Sequence, residues 1–382
     1  MTSVTAEGLR VAVIGAGIAG LATAVGLVRS GAAVTVFEEA PTVRSGGSGL
    51  TVFAGGLRAL DSLGLGARFR ALTDGDVRLL RGGQRAPDGR WLARIPADAV
   101  AEMRVVDRGD FHRLLVDALG SAASVRTGTR VDSADPDGAV RWTTADGLPQ
   151  EETFDLVVGA DGMRSQVRTA FSDDLGGEAG ETWGMRTRFG IAPLADGRVY
   201  WFAVATMPEV AVFHDETAVL EGLFGTWHYP IPEILSATHP TAVHRLPILE
   251  LAGHLSSYVR GLIVLVGDAA HAMTPNLGQG GGQGLEDAAQ LCAGLVDVLT
   301  DLPPQRAPVD GVATALASYD ALRRPRSQRI ARLSRLIGDV AHLPGPRLTR
   351  VRDAVLDLTP EPALRRQIRQ VQEWDGPGVH VR

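Results

Sequence analysis

Three observations in the 382-residue sequence predict its fold class. A strand, a glycine turn, a helix and a second strand can be read over residues 10–40. Buried-strand runs return at FDLVVGADG (154–162) and GLIVLVGDAA (261–270). Between them, over about 183–230, the pattern becomes alternating and aromatic. Together these predict an α/β protein: a Rossmann-like nucleotide-binding unit, interrupted by a β-sheet-rich insertion and followed by C-terminal helices.

The elements follow in order. RVAVIG is a short β-branched run, GAGIAG the turn, LATAVGLVRSG a helix with a glycine stop and AAVTVFEEA a second apolar run. That is one βαβ unit of the usual size, ~30 residues. The glycine-rich RSGGSGL precedes an amphipathic helix through Leu57 to Leu65, and residues 76–100 read as a strand-and-loop excursion. RGDFHRLLVDALG (108–120) is a helix with Phe111, Leu114, Leu115 and Leu119 on one face. TWGMRTRFGIAP, GRVYWFAVATM and VLEGLFGTWHY read as β-strands. A helix is expected over roughly 284–299, a loop at PPQRAP (303–308) and a long Arg-rich helix from Tyr319 to Val340; beyond Pro344 the tail reads as helical and peripheral.

Composition narrows the function. A net charge of -6 is the opposite of a nucleic-acid footprint, so no nucleic-acid partner is expected. One cysteine, Cys292, excludes disulfides within the chain, CxxC redox chemistry and a cysteine-built zinc site. All 38 basic residues are arginine, which excludes Schiff-base chemistry and a P-loop lysine. No HxxxH or carboxylate facial triad is present, so no metal is expected. The N-terminus lacks an apolar export segment, and no apolar run approaches the ~20 residues of a membrane span; a cytoplasmic protein without a membrane partner is expected.

Three motifs carry chemistry. In Gly15-Ala16-Gly17-Ile18-Ala19-Gly20, Gly15 permits the turn out of the strand and Gly17 lets backbone approach a pyrophosphate. Gly20 lets the helix pack on the sheet, while the helix N-terminus offers free N–H groups. Glu38 ends the second strand roughly 20 residues on, where a carboxylate accepts ribose hydroxyls. This predicts a dinucleotide without distinguishing NAD from FAD. The second motif runs from Asp155 to Arg168 and contains Asp161-Gly162. The third, Gly267-Asp268 through Gln283, ends in a glycine run opening a helix, a cluster of backbone donors that reads as an anion nest.

In this order and spacing the motifs resemble the class A flavoprotein monooxygenases, the family of p-hydroxybenzoate hydroxylase, over about residues 10–335. The resemblance implies non-covalent FAD, with no positioned Cys or His attachment signature, and NADPH or NADH as co-substrate. It implies an FAD-binding domain made of 1–75, 101–175 and 262–335, a substrate domain made of 76–100 and 176–261, and a helical tail over 336–382. Gly15, Gly17, Ala19 and Gly20 would hold the pyrophosphate, and Glu38 with Glu39 the adenosine end. Arg44 and Thr51 would lie in a loop covering the flavin. Arg108 falls on the family's Arg-x-x-Leu arginine, although Phe111 replaces the leucine. Val131 would line the adenine and Asp268 bond the ribitol. Pro275, Gly278, Gln279, Gly280, Gly281 and Gly282 would run along the isoalloxazine, whose reduced form backbone donors stabilise. Asp161 and Arg164 would serve FAD and the passing nicotinamide. His271, in GDAAH, reads as a structural, hydrogen-bonded histidine.

Arg188 to Trp201 is similar to the substrate hairpin of the urate hydroxylase-like heteroaromatic hydroxylases. There Arg188 would pair with an anionic ring and Tyr200 orient or deprotonate a ring group. An equal reading makes these aromatics core and the arginine solvated; Trp201, Phe202, Phe213 and Phe224 are pocket walls or core. A two-residue hairpin loop would put Arg188 and Tyr200 on opposite faces, an odd-numbered one on the same face. The implied reaction is hydroxylation of a small aromatic or heteroaromatic substrate by O2 through a C4a-hydroperoxyflavin. The alternatives are a same-family tailoring monooxygenase or epoxidase on a larger natural product, a non-oxygenating FAD reductase or dehydrogenase, and a non-enzymatic FAD-binding module. A flavin halogenase would need a lysine, which the chain lacks. Oligomeric state is left open.

Overall fold

The computed structural model describes residues 9–42, 49–73, 82–96, 102–144, 147–160, 180–194, 199–208, 211–301 and 308–377. Strand β1 (Arg10–Ile14) turns into α1 (Ile18–Arg29) and β2 (Ala33–Phe37), followed by β3 (Gly49–Phe53), α2 (Ala54–Ser62) and α3 (Gly66–Ala71). Next come β4 (Gly82–Arg85), β5 (Trp91–Ile95), β6 (Met103–Asp107), α4 (Arg108–Leu119) and β7 (Ala123–Arg126). Strands β8 (Arg130–Ala134), β9 (Ala139–Thr143), β10 (Pro149–Thr153) and β11 (Leu156–Gly159) precede β12 (Gly180–Trp183), β13 (Thr187–Pro193) and β14 (Val199–Ala205). The chain continues through α5 (Glu216–Phe224), α6 (Ile231–Ala237), β15 (Val259–Arg260), β16 (Ile263–Leu265) and α7 (Asp268–His271). It closes with α8 (Gly280–Asp301), α9 (Pro308–Ala341), α10 (Pro346–Asp357) and α11 (Glu361–Gln372). No described helix is long and apolar enough to cross a membrane.

Six strands form the sheet β15-β16-β11-β1-β2-β7, parallel apart from the β15 edge. Its central strands are buried on both faces, which is why they read as continuous apolar runs. Val11, Val13, Leu156 and Val158 join the core shared with α1 and α8, whereas Ala12, Phe37 and Val157 pack against Trp142 and Phe154. The antiparallel sheet β8-β9-β10 supplies Trp142. Strand period two therefore feeds two cores from one sheet.

The second large sheet, β14-β13-β12-β4-β5, draws its strands from two separated stretches of sequence. One face carries Phe189 and Trp201 into a core with Phe224, Ile231 and Leu235. The rings of Phe189 and Trp201 stack at 5.2 Å. So Trp201 and Phe224 are core residues. In the β13–β14 register Arg188 opposes Val204 and Ala192 opposes Tyr200. Residues 194–198 connect the strands, an odd number, so Arg188 and Tyr200 share a face.

Three local expectations change. VLEGLFGTWHY begins within a helix, α5, because the Asp215 carboxylate caps it by accepting from the Ala218 N–H at 3.0 Å. Thr51 stands on β3, paired with β6, and not in a loop. The tail is helical but is not peripheral: α10 is tied down where Arg352 donates to the carbonyls of Gly184 (3.0 Å) and Ala341 (2.7 Å). The PPQRAP loop lies, for residues 303–307, outside the described residues.

Candidate active site

A cavity of about 2670 Å³ runs from the glycine turn after β1, past the start of α8, to the open face of the five-stranded sheet. A small-molecule site occupies roughly 300–1,000 Å³, so there is room for a dinucleotide and a second ligand. Gly15, Gly17, Ala19, Glu38, Glu39, Thr51, Arg108, Val131, Asp268, Pro275, Gly278, Gln279, Gly280, Gly281 and Tyr200 all line it. Arg44, Asp161 and Arg164 lie outside the described residues.

At one end the turn is held from three sides. Gly15 sits at φ 104°, in the left-handed region that favours glycine, and its N–H donates to Phe37 O at 2.7 Å. The Glu38 carboxylate accepts from the Ala16 N–H (2.9 Å) and the Ala40 N–H (2.8 Å). Buried His112 donates from Nε2 to Ala16 O at 2.7 Å, and burial pulls its pKa below the ordinary value, which favours the neutral ring. His112 was not singled out from sequence; a histidine on the buried face of an amphipathic helix was its one signal. Gly20 does not line the cavity, because it packs against Gly15 and Ala160. Helix α1 has no side-chain cap, so its first-turn N–H groups stay available to an anion.

Glu38 thus holds the turn, and a test separates that role from the ribose contact expected of it. Glu38→Ala is expected to weaken FAD binding by about 1–3 kcal/mol, the scale of a charged hydrogen bond. Part of that arises from the loosened turn, so Glu38→Gln, which keeps one acceptor oxygen, should recover some affinity in a flavin fluorescence titration. Equal affinity in all three proteins would remove Glu38 from the site.

In the middle of the cavity Gly278 adopts φ 61°, and α8 begins at Gly280, earlier than the expected 284. The glycine run is therefore the first turn of the helix, with N–H groups that lack intrahelical acceptors. Gln279 is buried and its Nε2 has no hydrogen-bond partner, an orphaned donor at the same place. Gly282 packs outside the lining, against α2 near Gly56.

Behind this turn lies a buried polar network. Asp287 accepts from the Gly267 N–H (2.9 Å), His271 Nε2 (2.5 Å) and Arg323 Nε (2.7 Å). Arg323 also donates to Glu286 Oε2 at 2.6 Å, and Arg326 donates to both Glu286 oxygens. Burial works against the charge on Asp287, but His271 and Arg323 outweigh it and hold its pKa at about 2. His271 is thus the hydrogen-bonded structural histidine expected. The network itself went unnoticed in the sequence, although two adjacent acids in an apolar helix, Glu286-Asp287, were a readable signal.

At the far end Tyr200 and Arg108 both line the cavity and act on each other electrostatically. A Cβ on Gly49 would sit 2.2 Å from Tyr200 Cγ, and one on Gly281 would sit 2.9 Å from Leu50 Cδ1. Contact therefore runs from the first turn of α8 through Leu50 and Gly49 to the Tyr200 ring. Burial and the Glu181 carboxylate push the Tyr200 pKa up to about 12, against the pull of Arg108 and Arg188, so its hydroxyl keeps its proton at neutral pH. Burial lowers the pKa of Arg108, with Asp268 and Tyr200 acting the other way. Arg188 does not line the cavity. It is 1% exposed, its guanidinium lies over the Phe202 ring, and its Nη1 is 3.4 Å from Glu181 Oε2. Of the four aromatics, Phe202 stands on the cavity face of the sheet, while half-buried Phe213 is stacked on by Arg245. Cys292 is buried against α1, away from the cavity. Among the described residues no group of His, Cys, Asp and Glu could hold a metal.

Fold and site together define a dinucleotide-binding protein: two helix N-termini open on one cavity large enough for a dinucleotide beside a second ligand. Residues 8–209 and 240–334 match the FAD binding domain family. The chain is 34% identical to aurachin C monooxygenase/isomerase of Stigmatella aurantiaca, covering 87% of this chain and 90% of that protein. It is 29% identical to FAD-dependent urate hydroxylase of Klebsiella pneumoniae, covering 87% and 91%. The crystal structure of Klebsiella pneumoniae HpxO complexed with FAD and uric acid superposes with a TM-score of 0.80 at 25% identity, covering 97% of this chain and 98% of that one. The chain belongs to the class A flavoprotein monooxygenases and is an FAD-dependent monooxygenase of the aromatic and heteroaromatic hydroxylase type.

Proposed function

We propose that this protein is a single-component monooxygenase that uses NADPH or NADH and O2 to hydroxylate an aromatic or heteroaromatic ring placed against Tyr200. The contact chain Gly281–Leu50–Gly49–Tyr200 carries the reading, because it joins the helix start suited to a flavin to the sheet face suited to a ring. In this reading residues 1–75, 101–175 and 262–335 hold FAD, residues 76–100 and 176–261 supply the substrate face, and residues from 336–382 wall the cavity. Supporting it are the relatives, whose names assign them urate and aurachin C.

The residues present suit FAD. The free N–H groups at the start of α1 take the pyrophosphate, with Gly15, Gly17 and Ala19 leaving room. Glu38 and Glu39 would receive the adenosine ribose, Val131 would pack on the adenine, and Asp268 would take the ribitol hydroxyls. The α8 start, with Pro275, Gly278 and the unpartnered Gln279 amide, would hold the isoalloxazine, and its partial positive charge would stabilise negative charge there. When bound, non-covalently, FAD supplies the two-electron chemistry that NAD(P)H and O2 require.

Tyr200 Oη, protonated at neutral pH, donates a hydrogen bond to the substrate oxygen or ring nitrogen and orients the ring. Arg108 balances developing negative charge beside it. Arg188 works as a positioning residue: paired with Glu181 and covered by Phe202, it holds that face of the sheet. The apolar walls exclude water from the reacting centre.

The experiment is to screen aromatic compounds for acceleration of NAD(P)H oxidation by the holoenzyme, then weigh the product made under 18O2. One 18O atom per product is expected; accelerated oxidation with no 18O in product would instead identify a reductase or dehydrogenase. Tyr200→Phe is expected to lower product formed per NAD(P)H by about 10- to 100-fold, with H2O2 rising to match, since a buried hydrogen bond worth about 1.5–3 kcal/mol is lost. Wild-type coupling in that variant would leave Tyr200 as a wall of the pocket only.

A further inference from the structure

Besides Tyr200 and the α8 start, the cavity is walled by apolar side chains of the C-terminal helices and of residues 246–249. Helix α11 presents Leu364, Ile368 and Val371 to it, spaced i, i+4, i+7 on one face. Helix α9 does the same with Leu333, Leu336, Ile337 and Val340. The segment 243–249, anchored by Arg245–Glu216 at 2.8 Å on one side and by Glu250–Arg335 at 2.9 Å on the other, forms a second wall. These pairs also neutralise charged groups at that end.

Large apolar side chains along these walls are left uncovered. Leu336 is 57% exposed, Leu249 50%, Ile248 45% and Leu246 42%. Contiguous uncovered apolar surface that faces a cavity marks a binding site for apolar matter. By contrast, Arg188, the cation expected to anchor an anionic ring, is buried against Glu181 and absent from the lining. The site thus pairs a polar end at Tyr200 and Arg108 with an apolar corridor between α9 and residues 246–249.

We infer that the substrate is a ring bearing a long apolar chain, with the ring against Tyr200 and the chain along the corridor between α9 and residues 246–249. This rests on the proposed function for the ring end and adds the chemical class of the rest of the molecule. A compact acid of the ring alone would leave the corridor uncovered.

The test uses FAD-loaded enzyme and 4-n-alkylphenols, from phenol to 4-octylphenol, titrated below their aggregation limits and followed by the flavin difference spectrum. Affinity is expected to rise about fourfold for each added methylene, the apolar-transfer increment, until the corridor is filled. Leu336→Glu and, independently, Ile248→Glu should reduce that rise to less than about twofold per methylene, with the affinity for phenol itself unchanged. Leu358→Glu, at a 78% exposed position outside the cavity lining, should keep the full wild-type series and so excludes non-specific partitioning. A flat series, including no binding at all, overturns the inference, as does a rise untouched by both corridor variants. Chain-dependent binding without 18O in any product would uphold the corridor and remove the oxygenation reading. Label in phenol with a flat series would do the reverse.

Discussion

Asp287→Ala is expected to lower the unfolding free energy by about 3–5 kcal/mol, the cost of stripping one partner from a buried ion pair. Arg323 is 1% exposed and would lose the acceptor of its Nε, while the Gly267 N–H and His271 would lose theirs too. Urea unfolding followed by far-UV circular dichroism measures it, and a change within 1 kcal/mol would show the network to be dispensable. The pH dependence has a definite sign. The folded carboxyl titrates at about 2, below its ordinary 3.8, so its contribution is complete above about pH 4 and is lost as pH falls toward 2. Over that window wild-type stability should fall more steeply than that of the variant. Because Asp287 also holds Gly267, whose neighbour Asp268 lines the cavity, FAD affinity should fall in parallel.

Gly20→Ala is expected to cost FAD affinity by about 10²–10⁴-fold, as two charge-assisted bonds of about 1.5–3 kcal/mol each are lost at the pyrophosphate. The added Cβ would lie 2.1 Å from Gly15 O and 3.0 Å from Ala160 Cβ. Neither neighbour can yield cheaply: Gly15 is pinned to Phe37 O, and the Ala160 N–H donates to Ile14 O at 2.7 Å. The turn must open, and the N–H groups at the start of α1 move with it. A colourless protein of unchanged secondary structure is the expected result of purification. A variant that binds FAD like the wild type would show that the glycine turn does not hold the pyrophosphate.

The nucleotide half was legible because its chemistry is local. Gly15, Gly17 and Gly20 act through the backbone of six consecutive residues, and Glu38 through a strand that follows directly. The apolar runs of β1 and β11 announce a sheet buried on both faces without any knowledge of what covers it. The earlier start of α8 places its glycines in a first helical turn, whose N–H groups lack intrahelical acceptors as those of a loop would.

The substrate half was not legible in the same way, because its features depend on partners far along the chain. VLEGLFGTWHY has strand-like composition, yet Asp215, just upstream of it, caps a helix there. Arg188 looked like a free cation until strand register set it beside Glu181. The C-terminal helices carry no motif, and their apolar stripes acquire meaning only where they meet the sheet.

The sequence by itself determined the dinucleotide-type turn, the interrupted α/β order and the glycines that leave backbone N–H groups open at two helix starts, because short-range geometry and glycine sterics decide those. Only the tertiary structure decided that Tyr200 and Arg188 share a face while Arg188 alone is covered, that Asp287 and Arg323 meet across 36 residues, and that residues beyond 336 wall the cavity. Those outcomes depend on long-range packing and on whether a charge finds its counter-ion, and neither quantity is written in any local stretch of the chain.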